Sequence, residues 1–209
     1  MKTRVAQVIM LVVIILLGYA VYASINEPIE YNKEYQKRKT AVIERLKLIR
    51  DAEVAYKTIN NQYTGSFDTL IDFVKNGKLK MLKMEGSLND SLLAAGMTEK
   101  EAIKLGIIKR DTIFVAVKDS VCKNLNPDSL RSVPYTSANF ELGATILTSS
   151  SNLQIPVFEA KVANKVFLEG LDNQQRINMD NLAKDLNRYP GLKVGSLEEA
   201  NNNAGNWEE

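Results

Sequence analysis

The sequence predicts an α+β protein, in which an N-terminal transmembrane helix and a long amphipathic helix pack on a small, mainly antiparallel sheet. Three observations carry that reading. Residues 5–25 (VAQVIMLVVIILLGYAVYASI) hold no charge and follow Lys2 and Arg4. Apolar residues then recur at three- and four-residue steps to about Ile59. From Thr112 onward the period shortens to alternation, the mark of strands.

The apolar opening sets the location. Its 21 residues, at ~1.5 Å each, reach ~30 Å, the hydrocarbon thickness of a bilayer. A cleaved signal peptide is the rival reading, with Val21-Tyr22-Ala23 as its small-residue site. The retained anchor is preferred, because the run is long for a signal segment and a long helix follows it. Lys2 and Arg4 favour an inside amino terminus. That makes residues 1–4 a cytoplasmic tail and 5–25 a single pass of the inner membrane, with the following domain in the periplasm. Lys33, Lys37, Arg38 and Lys39 pull the other way, but a long domain translocates despite such charge.

Composition excludes several function classes. A net charge of +2 gives no reason to expect nucleic acid. The single cysteine, Cys122, cannot form an intrachain disulfide. It reads as a small, half-buried residue at a strand end, with a reactive thiol or an intermolecular link as alternatives. The chain has no histidine, which removes His-based triads, Cys–His dyads and His-ligated metals. No phosphate-loop, dinucleotide or zinc spacing occurs. The expectation is therefore no enzyme, no catalytic, cofactor or metal site, no cofactor and no small-molecule ligand.

Asn26-Glu27-Pro28 is expected to break or kink the helix leaving the membrane. Residues 26–62 then form a stalk or long amphipathic helix. Val42, Leu46, Ile49, Ala52, Ala55, Tyr56 and Ile59 share one face, and the other is charged. A domain helix laid on a sheet and a self-associating stalk both fit this pattern. If the stalk assembles, Tyr31, Tyr35, Val42 and Leu46 are its candidate partner-binding residues, left uncovered by the head. The lysines and Arg38 would then stay solvated or meet acidic partners.

The head is expected over residues 63–197. Asn60-Asn61 and Gly65 end the long helix, and Ser66 caps a shorter one with Phe67, Leu70, Ile71 and Val74 as its stripe. Ala55-Tyr56, Tyr63, Phe67 and Leu70 resemble the helix end of type IV pilins and pseudopilins, and residues 1–75 share their layout. The likeness implies a membrane span running into a helix that packs on a small sheet. The chain lacks the pilin processing site and any acidic residue in the apolar run. The cleavage and charge pairing of pilins are therefore not carried over.

Residues 78–84 read as an edge strand guarded by lysines. Residues 87–93 read as a loop or turn. Thr98-Glu99-Lys100-Glu101 is a capping box. Residues 112–121 read as a strand covered on both sides, with Ile113, Val115 and Val117 inward. Phe140, Leu142, Ala144 and Ile146 pair as a hairpin with residues 155–162, whose Phe158, Ala160 and Val162 point inward. Val166, Phe167 and Leu168 extend that hairpin or begin another strand. Asp172 or Asn173 caps a helix with a core stripe of Met179, Leu182, Ala183 and Leu186. Residues 192–194 add a last short strand, and 198–209 form a polar tail. One sheet is expected to gather Ile113, Val115, Val117, Phe140, Leu142, Phe158 and Leu182.

IKRDTIFVAVKDS (108–120), IPVFEAKV (155–162) and YPGLKVGSLEEANNNAGNWE (189–208) resemble an uncharacterised Bacteroidales family of membrane-anchored envelope proteins. The likeness implies no activity, cofactor or substrate. It weakens the reading of the tail as mere disorder and makes a docking segment of Gly191, Gly195 and Trp207 the alternative, but a frayed terminus is the preferred reading. The sequence thus points to a non-catalytic, membrane-anchored structural component of an envelope assembly, partnered by lipid and by protein or itself through residues 29–59. The alternative is a membrane-anchored binding or scaffolding domain that does not polymerise.

Overall fold

A computed structural model describes residues 2–87, 96–123, 125–149 and 151–208. Helix α1 (Lys2–Asn60) runs without interruption through Pro28. At ~1.5 Å per residue, its 59 residues span ~90 Å. The expected break at Asn26-Glu27-Pro28 is overturned. A helical proline forfeits one backbone hydrogen bond, and the turns that follow it are held by the head instead. The apolar part of α1 is long enough to cross a membrane, and from Met10 to Tyr22 it is exposed, uncovered by the rest of the chain.

After α1 come α2 (Phe67–Asn76), β1 (Lys78–Glu85), α3 (Glu99–Lys104), β2 (Lys109–Ala116) and α4 (Val117–Val121). A 3-10 turn (Pro127–Leu130) leads to β3 (Glu141–Thr148) and β4 (Gln154–Ala163). Then follow α5 (Asn164–Phe167), α6 (Asn173–Asp185) and β5 (Gly191–Gly195). The protein is α+β, with small antiparallel sheets beside the long helix. Asn61 takes a left-handed φ of 57° and ends α1, as helix ends commonly require.

Two sheets replace the single one expected. Strands β1 and β2 form a two-stranded antiparallel ribbon, with Leu79 opposite Val115 and Lys80 opposite Phe114. Strands β3, β4 and β5 form a three-stranded sheet in that order. The hairpin reading holds: Leu142 faces Ala160, and Ala144 faces Phe158. The strand expected at 112–121 is present only as far as Ala116 and is not covered on both sides. Val117 opens a helical turn, and Phe114 lies 66% exposed. Two strands alone cannot cover their own faces, so an apolar run that reads as doubly buried is here half solvent-facing.

The core lies between α1 and the three-stranded sheet. Val42, Leu46, Ile49, Ala52 and Ala55 enter it from α1, and Leu70, Ile71 and Val74 from α2. Val117, Phe140, Phe158, Ala160, Val162, Leu192 and Val194 close it. Tyr63 packs on Phe158 with ring centroids 4.8 Å apart. Cys122 is buried at the end of α4, and burial raises its thiol pKa. Of the residues expected around one sheet, Val115 and Leu142 are half-buried, while Ile113 and Leu182 are exposed.

Caps follow local chemistry. The capping box is formed in both directions between Thr98 and Glu101, and Asp172 accepts from the Gln175 amide at 2.7 Å. Ser66 precedes α2 but makes no side-chain cap bond. Residues 166–168 are not a strand, since Val166 and Phe167 fall in the single turn α5. The loop expected at 87–93 lies largely outside the described residues.

The expected uncovered face of α1 is overturned. Val42 and Leu46 are 0% exposed and Tyr31 is buried, because the head wraps α1 well before Ala52. Arg38 is not left to solvent or to a partner. Its Nη1 donates to the carbonyls of Phe167 and Glu169 at 3.2 and 2.8 Å. Arg45 likewise donates to the carbonyls of Ser129 and Ser132. These guanidinium bonds tie loop backbone to helix. Leu46→Ala is expected to cost about 2–5 kcal/mol, the range for emptying a packed aliphatic site. Urea unfolding of the detergent-solubilised protein measures it, and a loss below about 0.5 kcal/mol would contradict the packing.

Candidate functional site

The five residues singled out in the sequence fall into two groups. Val42 and Leu46 belong to the core. Tyr31, Tyr35 and Trp207 gather near one side of α1. The Tyr31 hydroxyl donates to Met179 Sδ at 3.5 Å. Its ring lies parallel to Tyr35, with centroids 6.3 Å apart. Tyr35 and Trp207 line the same groove, a cavity of about 380 Å³ between α1, α6, β5 and the C-terminal segment.

The tail forms one wall, and it is docked rather than frayed. Gly195 N donates to Ala204 O at 3.0 Å, and Asn206 N donates to Lys193 O at 3.0 Å. The Asn206 side chain accepts from Lys193 N at 3.1 Å and donates to Gly191 O at 2.9 Å. Farther along, Arg50 of α1 pairs with Glu208 at 2.9 Å, and Asn203 donates to the Tyr63 hydroxyl at 2.8 Å. A Cβ at Gly205 would run into the Trp207 ring. Glycine there lets the indole fold flat onto its own backbone. The Trp207 Nε1 is buried with no hydrogen-bond partner.

Helix α6 forms the opposite wall and differs from its reading in sequence. Met179 and Ala183 turn toward the groove, while Leu182 and Leu186 are 61% and 56% exposed. The helix touches α1 along a narrow edge, so half of its expected stripe meets solvent. It is pinned by Asn164, which donates to Asp180 at 2.8 Å, a carboxylate that also pairs with Arg176 of the same helix at 2.8 Å.

Charge and aromatic faces meet in the groove. Lys39, Arg188 and Lys193 line it with the single carboxylate of Glu199. Lys39 Nζ lies 5.8 Å from the centre of the Tyr35 ring, and Lys161 lies 5.8 Å from that of Tyr189. Lys193 Nζ also bonds Glu159 at 3.4 Å. Burial, with Glu141 and Glu159 beside it, pushes the Tyr189 hydroxyl up to about 12. Burial raises the Tyr35 hydroxyl pKa too. Both phenols therefore stay protonated and able to donate.

Sequence reasoning did not assign Met179, Arg188, Tyr189 or Lys39 to a site: Met179 read as core stripe, and Lys39 lies far along the chain from the other three. It also missed Glu53. That residue stands at heptad spacing from Leu46 and Ile49, inside the apolar stripe, and an acid in that register is the signal. Glu53 is fully buried. Its Oε2 accepts from the Thr64 amide at 2.9 Å, and its Oε1 has no partner. Among the described residues, no group of three or more acidic or sulfur side chains converges as metal ligands.

Comparison with family models, with curated proteins and with solved structures returns no match. The site rests on its geometry alone.

Burial pushes the Glu53 carboxyl up to about 8, against the weaker pull of the Thr64 amide. A raised carboxyl binds a proton in the folded state that the unfolded chain has released. Its contribution to stability is therefore complete below the unfolded value of 4.5. It falls as pH rises toward 8, by at most ~1.4 kcal/mol per pH unit. Glu53→Gln is expected to flatten that slope and to gain on the parent protein as pH rises, with the gap levelling above about 8. Denaturation midpoints from pH 5 to 9 measure it, and parallel profiles for the two proteins would refute it.

Proposed function

We propose that this chain is a membrane-anchored, non-catalytic binding protein of the bacterial envelope, held in the inner membrane by residues 5–25 with its head in the periplasm. One observation carries the reading. The helix that leaves the apolar segment is the same helix whose stripe fills the core of the head, and its outer side is polar. The head is therefore carried at a fixed distance from the bilayer, with no flexible linker between. The groove of Tyr35, Tyr189 and Trp207 is its recognition surface.

A pilin-like assembly subunit is the second reading. It has to use a surface other than Val42 and Leu46, and Leu182 with Leu186 on α6 is the exposed apolar pair that favours it.

Sodium carbonate at high pH is expected to leave the full-length protein in the membrane pellet, and detergent to release it. A mature amino terminus at Ser24 would replace anchoring with export. For sidedness, Asn178→Cys places a thiol on the exposed side of α6, and buried Cys122 supplies little background. A membrane-impermeant maleimide is expected to label it once the outer membrane is permeabilised. Labelling only after the inner membrane is broken would put the head in the cytoplasm.

A further inference from the structure

We propose that the free edge of β3 binds an extended, uncharged segment of a partner protein, which adds a fourth strand to the sheet of β3, β4 and β5. This surface is separate from the groove. The turn into β4 fixes which way the backbone of β3 points. Ser149 N donates to Leu153 O at 2.9 Å, and the register carries the same pairing back through Leu147 with Ile155 and Thr145 with Val157. Such pairs alternate with pairs that exchange no bonds. The N–H and C=O groups of Ala144, Ile146 and Thr148 therefore point away from β4. Among the described residues, those of Ile146 and Thr148 meet no hydrogen-bond partner. The rest of the sheet is closed. On β5, Lys193 N and O both bond Asn206, and Gly195 N bonds Ala204 O. Where β4 extends beyond β5, Pro156 has no N–H to offer. Nothing of this kind guards β3. No charge occurs from Leu142 to Phe158, and an uncharged open edge is a template for another strand.

Geometry narrows the occupant. The turn before α2 crowds the near half of the edge, where a Cβ on Gly65 would come within 3.2 Å of Ala144 N. The open stretch is residues 145–148, with Thr145, Ile146 and Thr148 exposed. A second copy fails on symmetry. Two β3 edges that pair antiparallel are related by a two-fold axis normal to the sheet. Helix α1 lies on the face of that sheet, so the axis is perpendicular to α1 and sends the two apolar segments in opposite directions. One bilayer cannot hold both, and this step alone takes the anchor from the proposed function. Lipid fails on position. Strand β4 runs back toward the apolar segment, since Phe158 packs on Tyr63, past the end of α1, while the carbonyl of Phe167 accepts from Arg38. The β3–β4 turn therefore points away from residues 5–25. What remains is an extended segment of another protein. Main-chain bonds to Ile146 and Thr148 hold it, and β-branched side chains such as valine and threonine cover Ile146, which is 51% exposed.

The probe is the uncharged peptide Ser-Thr-Val-Thr-Val-Thr-Ser, blocked at its carboxyl end and labelled with fluorescein. It is titrated with the full-length protein in detergent micelles, against empty micelles. A saturable rise in anisotropy is expected. Ile146→Pro deletes an N–H that points outward and no bond to β4, a change that edge strands tolerate. It is expected to weaken the peptide about tenfold or more with an unchanged melting temperature. If that variant melts early, Ile146→Lys guards the same edge by charge and serves the same comparison. Amide hydrogen exchange is the second readout. The peptide is expected to slow exchange at Ile146 and Thr148, and to leave Thr145 and Leu147, already bonded to β4, unchanged. No saturable signal up to about 1 mM, the weak end of specific binding, overturns the proposal. So does unchanged binding by a folded variant, or protection that falls on β1 and β2 instead. Protection of Ile146 and Thr148 by raising the protein concentration alone makes a second copy the occupant and also overturns it. These readouts do not depend on the anchor, so a protein that carbonate strips from membranes sinks the anchored reading and leaves them standing.

Discussion

The stripe Val42, Leu46, Ile49, Ala52 and Ala55 is the constraint on which the rest of the structure depends. Five apolar side chains on one face of α1 form the floor against which the three-stranded sheet and α2 both pack. Burying each of the larger ones is worth about 1.5–3 kcal/mol, and no other helix enters the core so deeply. The guanidinium groups of Arg38 and Arg45 flank the stripe and fix the loops that cross it. Glu53 is the exception within the stripe. Its buried carboxyl gives up stability, and one of its oxygens is spent on the Thr64 amide that turns the chain toward α2.

The same helix joins two environments. Its first part presents apolar side chains all round, as a lipid-facing segment does, and its last part presents them on one side only. Pro28 lies at the junction without ending the helix. Whatever meets the groove is met at a position set by helix length rather than by a mobile tether.

Local rules carried the sequence a long way where the chemistry is local. The capping box at Thr98, the cap at Asp172 and the hairpin of Leu142 with Ala160 could all be read from neighbouring residues. The exposure of the ribbon strand at Ile113 could not be read, because alternation reports that a face is apolar and not whether a second layer covers it. The stripe on α6 failed for the same reason. Leu182 and Leu186 have the right spacing, but the helix lies at the rim and offers the core only an edge. The groove was legible at Tyr35 and Trp207 as aromatic residues needing an explanation. Their meeting was not legible, since it depends on the tail crossing back over β5. No pattern in Asn201-Asn202-Asn203 announces that step, although left-handed turns at Asn202 and Asn203 make it.

The docked tail has a consequence for how the chain matures. Synthesis delivers the apolar opening of α1 first, and the residues that finish the head come last. The Arg50–Glu208 pair joins positions 158 residues apart, and the bonds from 204–206 to β5 wait for the same late segment. At ~5–20 residues per second, the roughly 150 residues that follow the stripe on α1 take about 8–30 seconds to emerge. During that interval an apolar helix face has nothing of its own to cover it. Distant closures of this kind are slow to form, so the period of risk belongs to biogenesis rather than to the finished fold. A holding chaperone is most useful to this chain at that stage, before its final dozen residues have arrived.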